Sequence, residues 1–284
     1  MRAAVLFAPH VNRQHCERFR NAGVEFVDAR LADADVALIF GGDGTIHRHL
    51  PELVRLKIPM LAVPTGSGND FAQSLGITSV AVALSAWNRF CAGTGTLHEV
   101  DLGRIMVTSP HAAEEGIYFC AVAGAGLDAE TNRRANRMPG WLRRRGGYLV
   151  AALQAVAAAG PAQMAVRDDG EGAAHAASGP AWFVAVANTP RYGDGMRIAP
   201  EAKLEDGLLD VCFVGHCSKL RLLKSLPKVF SGTHVHMREV KTFRGKDLRL
   251  EAEPPLPIYA DGEPAGLTPV TICALPRALR VIMP

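Results

Sequence analysis

The sequence predicts an α/β domain, a parallel sheet between helices, followed by an all-β, sandwich-like domain with a few helices. Three observations carry that expectation. In the first hundred residues short apolar runs alternate with segments of helical spacing. From about residue 97 strand-like runs crowd together with few helices among them. Two glycine-rich loops, "GGDGT" (41–45) and "PTGSGND" (64–70), each stand directly after an apolar run. Apolar strands separated by helices pack as a parallel sheet covered on both faces, and ligands of such sheets lie beyond the carboxyl ends of the strands. Short strands with turn signals between them suit a sandwich.

Taken in order, "AAVLFA" (3–8) reads as a strand, 12–22 as a polar helix, and "VEFVD" (24–28) and "VALIF" (36–40) as strands. A helix from Ile46 to Leu56, the strand "MLAVP" (60–64) and helices around "NDFAQSLG" (69–76) and "SVAVALSAWNRFCAG" (79–93) complete the first part. Strands are then expected at "LHEVDLGRIMV", "IYFCAVAG", "AQMAVRD", "AWFVAVAN", "LLDVCFVG", "HVHMREV", "DLRLEA", "LPIYA", "PVTICAL" and "LRVIM", with helices at 128–137, 146–159 and 218–230. The expected division falls at 1–100 for the α/β domain and 101–284 for the sandwich-like domain, with the last strands free to return to the first.

Composition narrows the class. The 284 residues are 48% hydrophobic and 21% charged with a net charge of +3, values of a globular protein and too mild to argue for nucleic acid. Six cysteines stand without a CxxC pair and read as reduced thiols, which fits a cytoplasmic protein. No targeting segment is visible. The longest apolar tract, "YLVAALQAVAAAG" (148–160), is too short to span a bilayer and reads as a buried helix, so membrane contact is expected to be peripheral.

The chemistry gathers at the glycine loops. No GxxxxGK[ST] is present, and "GAGLDA" (124–129) lacks the acidic residue a dinucleotide fold needs about twenty positions on. In "GGDGT", Gly41, Gly42 and Gly44 let main-chain N–H groups approach phosphate oxygens, and a following helix N-terminus adds partial positive charge. Asp43 would repel a phosphate unless a cation stands between them, which points to phosphoryl transfer with Mg²⁺. Its carboxylate is therefore expected to serve the cation rather than packing. Thr45 can donate to phosphate or cap the helix. A capped strand-to-helix turn is the plain alternative. The second loop, with Gly66, Ser67, Gly68, Asn69 and Asp70, favours one anionic ligand shared by both loops, a nucleotide's phosphates.

These motifs, with "VDLGR", "YFCAVAGAGLDAE", "APEAKLEDGLLDV" and "YADGEPAG" in the same order, resemble the diacylglycerol kinase catalytic-domain family in its soluble bacterial lipid kinase branch. The resemblance covers nearly the whole chain. It implies an ATP- and Mg²⁺-dependent kinase acting on a hydroxyl of a diacylglycerol-like lipid, with the site in the cleft between two domains. It makes 41–45 and Ser67 ATP contacts, and Asp43, Asp70 and Asp101 a carboxylate network around the nucleotide's Mg²⁺. It also implies a structural Mg²⁺ held by the Asp206 side chain and the carbonyls of Lys203 and Leu208; a plain turn at Asp206-Gly207 is the alternative. In "DGE" (261–263) Glu263 is favoured as the base that accepts the lipid hydroxyl's proton, with Asp261 ordering it or binding Mg²⁺, against a mere Asp-Gly hairpin turn.

Three features depart from the family pattern. "LFAPHVNRQ" replaces its Asn-Pro and glycine-rich turn, "ARLADAD" is too short for its usual helix, and Arg48 stands where a Glu is common. His47 and His49, two apart on a helix, diverge and make no metal pair. The basic stretch 132–148 is either a solvated face or a contact with anionic lipid through Arg143, Arg144 and Arg145. A homodimer is compatible with all of this. The rivals are a NAD kinase-like small-molecule kinase and a non-catalytic nucleotide- or lipid-binding protein.

Overall fold

The computed structural model describes residues 1–9, 11, 13–27, 30–66, 68–107, 116–137, 148–170, 176–193 and 195–284. Four parallel strands open the chain: β1 (Arg2–Phe7), β2 (Glu25–Val27), β3 (Val36–Gly41) and β4 (Met60–Pro64), in the order β2-β1-β3-β4. Every residue of β3 is buried, as a central strand covered on both faces requires. Helices α1 (Asp43–Leu56), α2 (Asp70–Ser74) and α3 (Val80–Cys91) pack around this sheet. On α1 the buried Ile46, Leu50 and Leu53 follow an i, i+4, i+7 stripe, while Arg48 and Glu52 face solvent. Ser79 caps α3 by accepting the N–H of Val82, and Trp87 fixes that helix by donating its Nε1–H to the carbonyl of Phe19 at 2.6 Å.

The helix expected over 12–22 is instead a short 3-10 helix, Arg13–Phe19. Of its described side chains only Phe19 is buried, too little contact to sustain a longer helix. The connection "ARLADAD" carries a single 3-10 turn, Leu31–Asp33, anchored by the buried Leu31.

The remaining strands are β5 (Thr96–Val107), β6 (Ile117–Phe119), β7 (Val122–Gly126), β8 (Ala162–Asp168), β9 (Ala176–Ala187), β10 (Leu209–Gly215), β11 (Val240–Gly245), β12 (Asp247–Glu253), β13 (Pro257–Ala260), β14 (Glu263–Leu267) and β15 (Val270–Met283). They pair antiparallel among themselves. Leu209, Val211 and Phe213 of β10 point into the sandwich interior with Val184 and Val186 of β9. The intervening Cys212 and Val214 face the helical layer of α4 (Leu127–Arg137), α5 (Tyr148–Ala158) and α6 (Lys219–Ser231). Alternation by two thus fills both faces with apolar side chains.

Several expectations change here, among them the single strand expected at "IYFCAVAG", which is two strands, β6 and β7. "HVHMREV" begins as a 3-10 helix, Thr233–His236, because the left-handed Gly232 turns the chain and His234 is buried beneath it. "PVTICAL" and "LRVIM" are one strand, β15, with a bulge between Leu275 and Leu279. Beyond that bulge Val281 pairs in parallel with Met60, so the last strand joins the first sheet. β5 accompanies β15 across both halves. The tract at 148–160 does form a helix, but it is only partly buried: Val150 and Leu153 are 39% and 43% exposed. No helix among the described residues is long and apolar enough to cross a membrane.

Candidate active site

The two glycine loops leave adjacent strands β3 and β4 and are bonded to one another. The N–H groups of Thr65 and Gly66 donate to the carbonyl of Gly41 at 3.1 and 3.2 Å, and the N–H of Asp43 donates to that of Gly68 at 3.1 Å. A Cβ on Gly42 would overlap the Gly68 carbonyl oxygen, and one on Gly66 would come within 2.5 Å of the Gly42 nitrogen. These glycines are therefore demanded first by the close approach of the two loops. Asn69 folds the second loop by exchanging hydrogen bonds with the main chain of Gly66. Thr45 is buried over Gly41, and Gly42 caps α1 without a side-chain bond. Ser67 lies outside the described residues.

Asp43 completes the seam. Its Oδ2 accepts the N–H of Asp70 at 2.9 Å and its Oδ1 that of Phe71 at 3.0 Å. The expectation that this carboxylate has no structural duty is thereby corrected: it ties the start of α2 to the start of α1. Burial first, then the charge of Asp70 and more weakly that of Asp261, push its pKa up to about 7, against the opposing pull of the two N–H bonds. Asp70 is itself 3% exposed.

The "DGE" segment arrives from the other half. Asp261 and Gly262 both have positive φ (49° and 85°) and form the two-residue turn between β13 and β14, the geometry Asp-Gly favours. Turn and site coincide. The wholly buried Asp261 carboxylate accepts the N–H groups of Cys120 and Ala121, each at 2.8 Å, and of Val122 at 3.2 Å. His47 Nδ1 stands 3.2 Å from the same carboxylate. Burial lowers the affinity of His47 for a proton, but the hydrogen bond and charge of Asp261, with the charge of Glu263, outweigh it and raise it on balance. Glu263 is left exposed, its Oε1 3.3 Å from where a Gly44 Cβ would stand. A free carboxylate thus borders the first glycine loop.

Asp101 is held elsewhere. Its Oδ2 accepts the N–H of Gly207 at 2.6 Å and its Oδ1 that of Arg277, in the β15 bulge, at 2.8 Å. Its own N–H donates to the carbonyl of Leu204, so it fastens the turn that carries Lys203, Asp206 and Leu208. The Asp206 carboxylate accepts the N–H of Leu208 and pairs with Arg244 at 3.4 Å. Beside it Asp210 Oδ2 is buried with no hydrogen-bond partner, and burial pushes this carboxyl up to about 6. Asp101 and Asp206 share a cleft of about 950 Å³, bordered also by His98, Lys246 and Arg277, away from the glycine loops. Asn188 joins the two clusters, donating to the carbonyls of both Asp101 and Cys120.

Sequence reasoning missed His47 and the amides of 120–122. His47 was within reach: it stands four residues after Asp43, on the same face of α1. The amides carry no side-chain signal. Arg143, Arg144 and Arg145 lie outside the described residues. Among the described residues no cluster of three or more His, Cys, Asp or Glu side chains is arranged to hold a metal.

The strand-end loops of a parallel sheet thus meet an acidic hairpin from a sandwich half. Residues 7–105 match the diacylglycerol kinase catalytic domain, and 121–283 match the YegS C-terminal NAD kinase beta sandwich-like domain. The chain is 35% identical over 284 residues to the diacylglycerol kinase of Mycobacterium tuberculosis (strain H37Rv), with 94% of this chain and 87% of that protein covered. It is 24% identical to the diacylglycerol kinase of Bacillus subtilis (strain 168), covering 90% and 80%. The crystal structure of a diacylglycerol kinase from Bacillus anthracis superposes with a TM-score of 0.70 at 16% identity, covering 100% of this chain and 97% of that one. Yeast NADH kinase shares the fold more distantly, at a TM-score of 0.56 and 9% identity, covering 100% and 83%. This chain belongs to the diacylglycerol kinase catalytic-domain family, and it is an enzyme of the kinase class.

Proposed function

We propose that the protein transfers the γ-phosphoryl group of ATP to a hydroxyl of a diacylglycerol-like lipid, with 1–100 holding the nucleotide and 101–284 the lipid. The observation that carries this reading is Glu263 standing exposed against Gly44. The ATP phosphates lie along 41–45 and 66–70, at the N-terminus of α1, whose partial positive charge favours them. Asp43 and Asp70, buried side by side, are carboxylates whose repulsion a divalent cation relieves, so the donor set fits Mg²⁺. Mg²⁺, when bound, offsets charge on the β- and γ-phosphates. The lipid oxygen forms a bond to the γ-phosphorus, the bond to the ADP oxygen breaks, and the hydroxyl proton passes to the Glu263 carboxylate. Asp261, with its oxygens taken by three amides and facing His47, holds the hairpin that presents Glu263. Asp101 contributes at one remove, through the 203–208 turn.

A structural Mg²⁺ at Asp206 and the carbonyls of Lys203 and Leu208 suits the same chemistry, because Asp210 Oδ2 is a buried oxygen without a donor beside it. An apolar cavity between α4, α5 and α6 measures about 70 Å³. That is far below the roughly 300–1,000 Å³ of ligand pockets, so we assign no acyl chain to it.

ATP turnover with diacylglycerol micelles, other lipid alcohols, NAD and no acceptor tests the reading. Phosphate on a lipid alcohol supports it. Phosphate on NAD would establish the small-molecule kinase instead, and binding of ATP without transfer to any acceptor would make the protein a non-catalytic binder.

A further inference from the structure

Seven large apolar side chains stand exposed among the described residues, and four of them, Val150, Leu153, Leu220 and Phe230, fall on just two helices, α5 and α6. On α6 the sequence KLRLLKSLPKVFS has two apolar stripes. One, with Leu222 and Val229, lines the cavity beneath the helix. The other runs through the exposed Leu220, Pro227 and Phe230, spaced i, i+7, i+10, with the partly buried Leu223 between it and the core; Leu220 at its start is 63% exposed. A helix that only covered a sheet would need the first stripe alone. Val150, Leu153 and Ala157 mark the outer side of α5, again at i, i+3, i+7. The two sides meet where Lys219 Nζ donates to the Ala157 carbonyl at 2.7 Å.

The charge around this face has one sign. Neither helix contains an acidic residue, and α6 carries Lys219, Arg221, Lys224 and Lys228. Arg221 is matched by Glu239 on the chain beyond α6. No carboxylate pairs with Lys219, Lys224 or Lys228 among the described residues. A second copy seated on this face by a two-fold axis would bring lysines against lysines. An anionic bilayer is complementary in both respects: it accepts apolar side chains below its headgroups and attracts lysines at their level.

We propose that the outer face of α5 and α6, centred on Leu220 with Lys224 and Lys228 at its rim, is the surface by which this protein docks on an anionic lipid bilayer. The inference rests on the lipid kinase reading for its choice of partner. It differs from contact through Arg143, Arg144 and Arg145.

The test uses the full-length protein, vesicles of phosphatidylcholine with and without phosphatidylglycerol, and a short-chain diacylglycerol presented as monomers. Lys224→Gln with Lys228→Gln should weaken binding to the anionic vesicles roughly fivefold per lysine at low salt and less at high salt. Leu220→Gln with Phe230→Gln should weaken it by about tenfold or more at either ionic strength, because apolar contact is unscreened. Both pairs should keep wild-type melting temperature and wild-type turnover of the short-chain lipid. Arg143→Gln, Arg144→Gln and Arg145→Gln together should weaken binding less than either pair. Absence of vesicle binding by the wild type, or unchanged binding in both pairs, overturns the docking face. So does a shift from dimer to monomer in sedimentation with vesicle binding intact, which would make the face a contact between copies. If the wild type phosphorylates no lipid but loses vesicle binding in these variants, docking stands and the lipid kinase reading falls. If lipid is phosphorylated and the variants bind as before, the reverse holds.

Discussion

At the glycine loops the carboxylate of Asp43 reaches across to the N–H groups of Asp70 and Phe71, and so lies in the seam between the loops. At the hairpin the burdens fall on different residues. Asp261 turns inward to the amides of 120–122, and Glu263, two residues on, is left exposed beside Gly44. Under the proposed function, the first region asks one side chain both to hold the loops and to meet the phosphates, whereas the second divides holding and chemistry between two residues. Mutations should therefore mix stability with turnover in the first region and separate them in the second.

Asp43→Ala should show the largest combined effect. It removes the charge at the phosphates, with a loss on the order of 10²-fold or more in turnover. It also strands two N–H groups in the seam, at about 1–3 kcal/mol of stability. Activity and thermal melting measured on one preparation check both; a variant that melts like the wild type would break the comparison. Glu263→Gln should depress turnover by about 10²-fold or more through loss of the proton acceptor, with ATP affinity and melting temperature unchanged. Substantial unfolding at lower temperature would mean that Glu263 holds structure as well.

Asp261→Asn should do the opposite. An amide presents its NH2 to groups that are themselves donors, so at least one buried N–H loses its acceptor, at a cost on the order of 3 kcal/mol. Calorimetry should register this as a fall of roughly 5–10 °C in Tm. Turnover below that of Glu263→Gln, with stability retained, would make Asp261 the base. Asp206→Asn should lower Tm less, and chiefly in the presence of Mg²⁺, since only a native-state ligand is lost. Identical responses of the two proteins to Mg²⁺ would remove the structural metal.

His47→Gln sharpens the comparison by pH. The folded protein holds the His47 proton more tightly than the ordinary value of 6.5, because Asp261 and Glu263 outweigh burial. That stabilisation is fully present below about pH 6.5 and is lost as pH rises through the raised folded value. The gap in Tm between wild type and variant should accordingly be widest in mild acid and shrink toward alkaline pH. A gap independent of pH would mean that only packing is lost.

The amino-acid order alone determined that a parallel half precedes an antiparallel one. The all-apolar "VALIF", the i, i+4, i+7 stripe of α1 and the crowded strand runs after residue 97 are local patterns, and local patterns set element type. It likewise marked the short segments on which the proposed chemistry rests, because two glycine loops each stand directly after an apolar strand run. What only the tertiary structure decided is how each carboxylate is employed. That Asp261 faces the amides of 120–122, that His47 stands beside it, and that Asp101 serves the 203–208 turn all follow from β13 lying against β7 and from the bulge of β15. These pairings join residues more than a hundred positions apart, and the partners are often backbone N–H groups, which every residue but proline possesses and no sequence marks.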